Sequence, residues 1–203
     1  MKKLLFVVAV IAISTGAFAQ KKKDSKKTGV SFGIQAGINL ANVSGSAWTG
    51  SGNTANVGLN AGVNVNIPVS GGFSVQGEAA YSQMGAKFTG GKIVLNYIPV
   101  TVLAKYMFSG SGFSIFAGPQ IGFLATANVK PTGGSNTDVK SSFQSTDFAG
   151  AFGVEYQISS VPVFISARYQ VGISNTLSTA GGSATSKSTN NAFTALVGYR
   201  FGK

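Results

Sequence analysis

Two missing residue types and five acids limit the chemistry open to this chain. Histidine and cysteine do not occur among its 203 residues. No imidazole base, thiolate nucleophile or ordinary zinc site is therefore on offer. The acids are Asp24, Glu78, Asp138, Asp147 and Glu155. Carboxylates act as a pair only inside one cleft, and only Asp138 and Asp147 are placed to share a loop. Two solvated rim charges are the expectation there. Gly182-Ser183-Ala184-Thr185-Ser186-Lys187-Ser188 brushes against a phosphate loop, but it lacks the second Gly and no helix follows. Trp48 is the only Trp and is expected to be an incidental aromatic of a loop or interface. The expectation is no catalysis, no cofactor and no metal.

Five other charges form the one constellation worth tracing: Glu78, Lys105, Glu155, Arg168 and Arg200. Each falls on the polar parity of a segment that alternates apolar and polar residues. The first such segment, Val30-Ser31-Phe32-Gly33-Ile34-Gln35-Ala36-Gly37-Ile38-Asn39-Leu40, puts its apolar side chains on one face and Ser, Gly, Gln and Asn on the other. Eight such strands are expected, at about 29–42, 55–67, 73–86, 93–108, 112–129, 147–158, 163–175 and 191–201.

The connections alternate in length. Pro68 to Gly72, Ser109 to Ser111 and Ser159 to Pro162 are tight-turn sequences, whereas Val43 to Thr54, Lys130 to Thr146 and Thr176 to Asn190 are long and rich in Gly, Ser, Thr and Asn. Lys87 to Lys92 reads as a short outer connection. Short turns at one end and long loops at the other are the habit of a membrane barrel with periplasmic termini. Only helices and closed barrels satisfy all backbone hydrogen bonds in lipid. The fold expected is an all-β, eight-stranded, antiparallel up-and-down transmembrane β-barrel over residues 29–201, preceded by a cleavable signal peptide.

Charge decides which face meets lipid. A water-facing barrel needs many Lys and Glu on its surface, yet charged residues are 10% of the chain. The apolar parity carries no charge in this register, so it faces outward. The small polar parity then fills a narrow lumen. Aromatics sort into two belts: Phe73, Phe108, Phe113, Tyr156 and Phe201 at the short-turn end, and Tyr81, Phe123, Phe148, Tyr169 and Phe193 toward the other. Pro99 and Pro119 lack a ladder donor and are expected at bulges.

The five charges then fall in one layer near the periplasmic end. An unpaired buried charge costs several kcal/mol, so they are expected to pair. Strand adjacency suggests Glu78 with Lys105 and Glu155 with Arg168, with Arg200 reaching the second pair. Tyr97, Gln76 and Gln157 are the expected polar neighbours.

Residues 1–19 read as an address. Lys2 and Lys3 precede an apolar Leu4–Ile13 core, and Ala17-Phe18-Ala19 fits the cleavage rule. Cleavage after Ala19 leaves a leader, residues 20–28, with five lysines. Seven of the sixteen basic residues lie in the first 27 positions. The formal charge of +11 therefore signals a solvated periplasmic leader or its attraction to anionic headgroups. No aromatic interleaves the lysines, so no nucleic-acid partner is expected.

Tyr97-Ile98-Pro99-Val100, Phe116-Ala117-Gly118-Pro119-Gln120-Ile121-Gly122, Gly153-Val154-Glu155-Tyr156 and Val197-Gly198-Tyr199-Arg200-Phe201 resemble the PorT-like outer-membrane β-barrel family, often labelled porin family. The resemblance spans nearly the whole chain after the signal. It implies a Gram-negative outer-membrane location and assembly through periplasmic chaperones and the barrel insertion machinery, and its motifs mark a barrel type rather than an activity. Phe201 is similar to the terminal aromatic read by that machinery, although Gly202 and Lys203 follow it. Membrane-barrel enzymes that act on phospholipids, lipid A or peptides resemble one another in using His, which this chain lacks. The expected role is structural or interactive, with outer-membrane lipid around the barrel and a protein or surface partner met through the outer loops. The alternatives are a narrow porin-like solute channel and a soluble lipocalin-like binder of apolar ligands.

Overall fold

The computed structural model describes residues 29–50, 52–178 and 186–201. The signal (1–19), the leader (20–28), residues 179–185 of the last loop with Gly181, and Gly202-Lys203 lie outside them. Eight long strands form the wall: β1 (Ser31–Ser44), β2 (Thr54–Ser70), β3 (Phe73–Phe88), β4 (Gly91–Met107), β5 (Phe113–Pro131), β7 (Thr146–Gln157), β8 (Val163–Gly172) and β9 (Thr189–Phe201). A two-residue strand, β6 (Thr137–Asp138), adds to the outer end of β5; its shortness hid it from the sequence pattern.

Every neighbouring pair is antiparallel, and pairing of β1 with β9 and of β4 with β5 closes the ring. The closing seam runs from Phe32↔Phe201 to Ser44↔Thr189. Alternation along β1 is visible in its burial: Ser31, Gly33, Gln35 and Asn39 are buried, whereas Phe32, Ile34, Ile38 and Leu40 are exposed. All ten belt aromatics point outward and are exposed. Three at the short-turn end are linked through half-buried Tyr106: Phe73 lies tilted against Tyr106, Tyr106 meets Phe108 edge-on, and Phe108 stacks on Phe113, with ring centroids 4.7, 5.1 and 5.9 Å apart. The β2–β3 turn is two residues, Gly71 and Gly72, both at positive φ. Two left-handed residues match the twist of the flanking strands.

Three local expectations are corrected. Lys87 to Lys92 is not a loop: β3 and β4 run up to a two-residue Thr89-Gly90 turn, with Lys87 paired to Lys92. The outward face therefore does carry charge at its outer end. The bulge expected at Pro99 lies earlier, where Asn96↔Thr126 gives way to Tyr97↔Leu124 and leaves Ala125 extra. Pro119 is at no bulge, since β4–β5 keeps one register from Thr101↔Gln120 to Ala104↔Ala117. Its missing donor interrupts the ladder without shifting it.

Candidate functional site in the lumen

The inward parity of the strands delivers all five charges to the interior near the short-turn end. Glu78, Lys105, Glu155, Arg168 and Arg200 are all buried. Arg200 reaches Glu155 as expected, but the other pairings differ from the expectation. Arg168 forks onto Glu78, with Nη1 donating to Oε2 at 2.7 Å and Nη2 to Oε1 at 2.8 Å. Lys105 binds Glu155, and Arg200 lies 3.1 Å from the same carboxylate. The expected neighbours were chosen by strand adjacency, but long cationic side chains in a narrow bore reach past the adjacent strand. β3 and β8 stand opposite each other in the ring.

Gln76 joins the two clusters. Its amide nitrogen donates to Glu78 Oε1 at 2.7 Å, and its oxygen accepts from Arg200 Nη2 at 3.3 Å and from Lys105 Nζ at 3.5 Å. Gln157 accepts from Arg200 Nη1 at 3.1 Å. Gln35, itself held by Asn64, donates to Glu78 Oε2 at 3.3 Å. Three cations face two carboxylates, and aromatic faces help to hold the cations. Arg168 lies 5.3 Å from the Phe116 centroid and Arg200 lies 4.6 Å from that of Phe164. Such contacts strengthen when desolvated.

Glycine makes room for those rings. Phe116 pairs across the ladder with Gly153, and Phe164 with Gly198. A Cβ on Gly198 would lie 2.1 Å from Phe164 Cζ, and one on Gly153 would lie 2.9 Å from Phe116 Cζ. Large facing nothing is how a narrow bore is packed. Phe116 and Phe164 were missed as lumen residues, although their parity with Ser114 and Ser166 gives their direction.

Tyr97 is not part of the charge layer. Its hydroxyl accepts from Asn190 Nδ2 at 3.2 Å, and the same amide donates to Asp147 Oδ2 at 2.9 Å. Ser174 Oγ donates to Asp147 Oδ1 at 2.9 Å. Asp147 is thus buried, not a rim charge, while Asp138 is exposed. Between the layers, Asn39 Nδ2 donates to Ser82 Oγ at 2.9 Å and Thr194 Oγ1 donates to Asn39 Oδ1 at 2.8 Å.

Beside the Asp147–Asn190–Tyr97 group the outer half of the lumen holds an apolar cluster, which departs from the expectation that small polar side chains fill the lumen. Ala41, Val43, Met84, Leu95, Leu124 and Phe143 belong to one buried cluster, with Trp48, Val139 and Leu177 packed against it. Trp48 also donates from Nε1 to Ser188 Oγ at 2.8 Å, so it ties a loop to the barrel rather than standing idle. Ala125 explains part of this: the extra residue flips the parity of β5, turning Ala127 and Val129 inward.

The interior is thus plugged by side chains, with the charge network near the short turns and an apolar cluster beside the Asp147–Asn190–Tyr97 group near the loops. Among the described residues no three His, Cys, Asp or Glu side chains gather as metal ligands. No curated protein matches the chain in sequence. In fold it is similar to Neisserial surface protein A, at 18% identity with a TM-score of 0.57, covering 85% of this chain and 99% of that one. It is also similar to Ail, the attachment invasion locus protein of Yersinia pestis, at 17% identity with a TM-score of 0.50, covering 84% and 98%. The sequence matches the family described as outer membrane protein beta-barrel domain over residues 18–178. The closed ring of eight, its lipid-facing apolar surface and that match together establish that the chain belongs to the outer membrane protein beta-barrel domain family and resides in the Gram-negative outer membrane.

Proposed function

We propose that this barrel is a non-catalytic interaction protein, closed to solutes, that meets a protein or surface outside the cell through its outer loops. The observation that carries this reading is the Arg168–Glu78 bridge, which crosses the bore between opposite strands. An eight-stranded interior is just wide enough for side chains to fill, and here a charge network and an apolar cluster occupy it.

The loops support a contact role because they are built into one crown. Ala47 N donates to Lys187 O at 3.0 Å, Gln144 N to Thr176 O at 2.8 Å, and Ser178 N to Ser142 O at 3.0 Å. A preorganised surface loses less entropy on binding than free loops do. The barrel reaches the membrane, in this reading, through periplasmic chaperones and the insertion machinery.

Photo-crosslinking in intact cells tests the proposal. A crosslinker at exposed Ser135, in an outer loop, is expected to give a defined adduct. The same group at Ser111, in a short turn, gives none from outside. Absence of adducts at Ser135, together with sugar uptake by vesicles that contain the purified protein, would replace this reading with the channel.

A further inference from the structure

Three lysines stand in a row at the outer end of the barrel. Lys87 on β3 pairs directly with Lys92 on β4, and Lys92 pairs directly with Lys130 on β5. Directly opposite residues share a face, with Cβ atoms about 5 Å apart, and like charges there repel. All three fall on the outward parity of their strands; Lys87 is exposed, and Lys92 and Lys130 are half-buried. None forms an ion pair with a described residue. The row belongs to one sector only: the outward residues at the outer ends of β1, β2, β7, β8 and β9, such as Asn42, Thr54, Phe148, Val171 and Asn191, are uncharged.

The rungs below are ordered. Four residues nearer the membrane on each strand, Gln83, Asn96 and Thr126 form an outward row. Gln83 Nε2 donates to Asn96 Oδ1 at 3.3 Å and Asn96 Nδ2 to Thr126 Oγ1 at 2.7 Å. Next below come Tyr81, Ile98 and Phe123, exposed and in the aromatic belt. The lysine row thus lies ~13 Å along the strands beyond the amide row. Apolar surface, then amides and a hydroxyl, then, past Gly85, Val94 and Asn128, the row of ammonium groups follow one another outward along this face.

We propose that this sector of β3–β5 is a binding site for a phosphorylated glycolipid of the outer leaflet. Its acyl chains lie against the belt, its sugar hydroxyls against Gln83, Asn96 and Thr126, and its phosphates bridge the lysines. A phosphate between neighbouring ammonium groups converts their repulsion into attraction, and no described residue forms an ion pair with them. The row stands just short of the Thr89-Gly90 turn, on the same outward face as the aromatic belt below it, which favours the membrane as the source of the anion.

The test uses the full folded protein in an uncharged detergent, with bound lipid counted by native mass spectrometry. Bis-phosphorylated lipid A is expected to bind at least about ten-fold more tightly than its dephosphorylated form, since each surface lysine contributes to anion attraction. The triple variant Lys87→Ser, Lys92→Ser, Lys130→Ser is expected to lose that preference, whereas Lys140→Ser with Lys187→Ser, on the loops, keeps it. Equal binding of the two lipids by the unaltered protein would overturn the proposal even if the triple variant failed to fold. So would a preference that survives in the folded triple variant or disappears in the loop variant. Displacement of the lipid by millimolar inorganic phosphate would assign the row to free anions instead.

Discussion

Arg168 and Glu78 grip each other across the full width of the barrel, from strands that lie four places apart in the ring in either direction. A bidentate pair between opposite walls acts as a strut, because both ends are buried and a buried charge that loses its partner is costly.

Removing either acid should therefore cost stability. Glu78→Ala strands Arg168, with an expected loss of about 3–5 kcal/mol. Glu155→Ala strands both Lys105 and Arg200, so its loss should be at least as large. Adding Lys105→Met should recover part of it by removing one orphan charge. Urea unfolding in detergent, followed by tryptophan fluorescence, measures all three. Wild-type stability in Glu78→Ala would mean that the pair is solvated and the lumen open.

The glycines under the aromatic rings give a prediction about packing. Gly198→Ala places a methyl 2.1 Å from Phe164 Cζ and 2.7 Å from the Ile34 carbonyl oxygen, and overpacking of this kind costs about 1–3 kcal/mol. Gly150→Ala is the control, since its nearest neighbour is Val171 Cγ1 at an ordinary 3.5 Å; a shift within about 0.5 kcal/mol is expected. Equal effects of the two would remove the case for ring-over-glycine packing.

The loop tip at Gly134 is exposed, and Gly133 beside it sits at φ 79°. An epitope inserted after Gly134 should leave the barrel folded, so that it migrates differently on a denaturing gel before and after boiling, and should bind antibody on whole cells, because loop tips accept insertions. Labelling only after the outer membrane is ruptured would invert the topology.

The wall of the barrel was legible in sequence because lipid outside and a crowded lumen inside impose strict alternation, as in Phe32, Ile34, Ile38 and Leu40 against Ser31, Gln35 and Asn39. The direction of the five charges followed from the same parity. Their pairing did not, because register names the neighbour on the next strand whereas Arg168 reaches the opposite wall. Tyr97 shares a parity with Lys105, yet parity says nothing about height. The Lys87–Lys92 pair is hidden in the sequence because Thr89, Gly90 and Gly91 look like a longer turn. The apolar cluster of the upper lumen was hidden for a different reason: Met84, Leu95 and Leu124 break the polar parity only near the outer end, where Ala125 also shifts the phase of β5.

Single-channel recording in planar bilayers tests the central claim, a lumen closed by its own side chains. The purified, folded wild-type protein should insert without discrete conductance steps at any voltage the bilayer tolerates. Uniform steps from the wild-type protein that change in size with Glu78→Ala or Arg168→Ala would contradict it, since ions would then be passing through the charge layer.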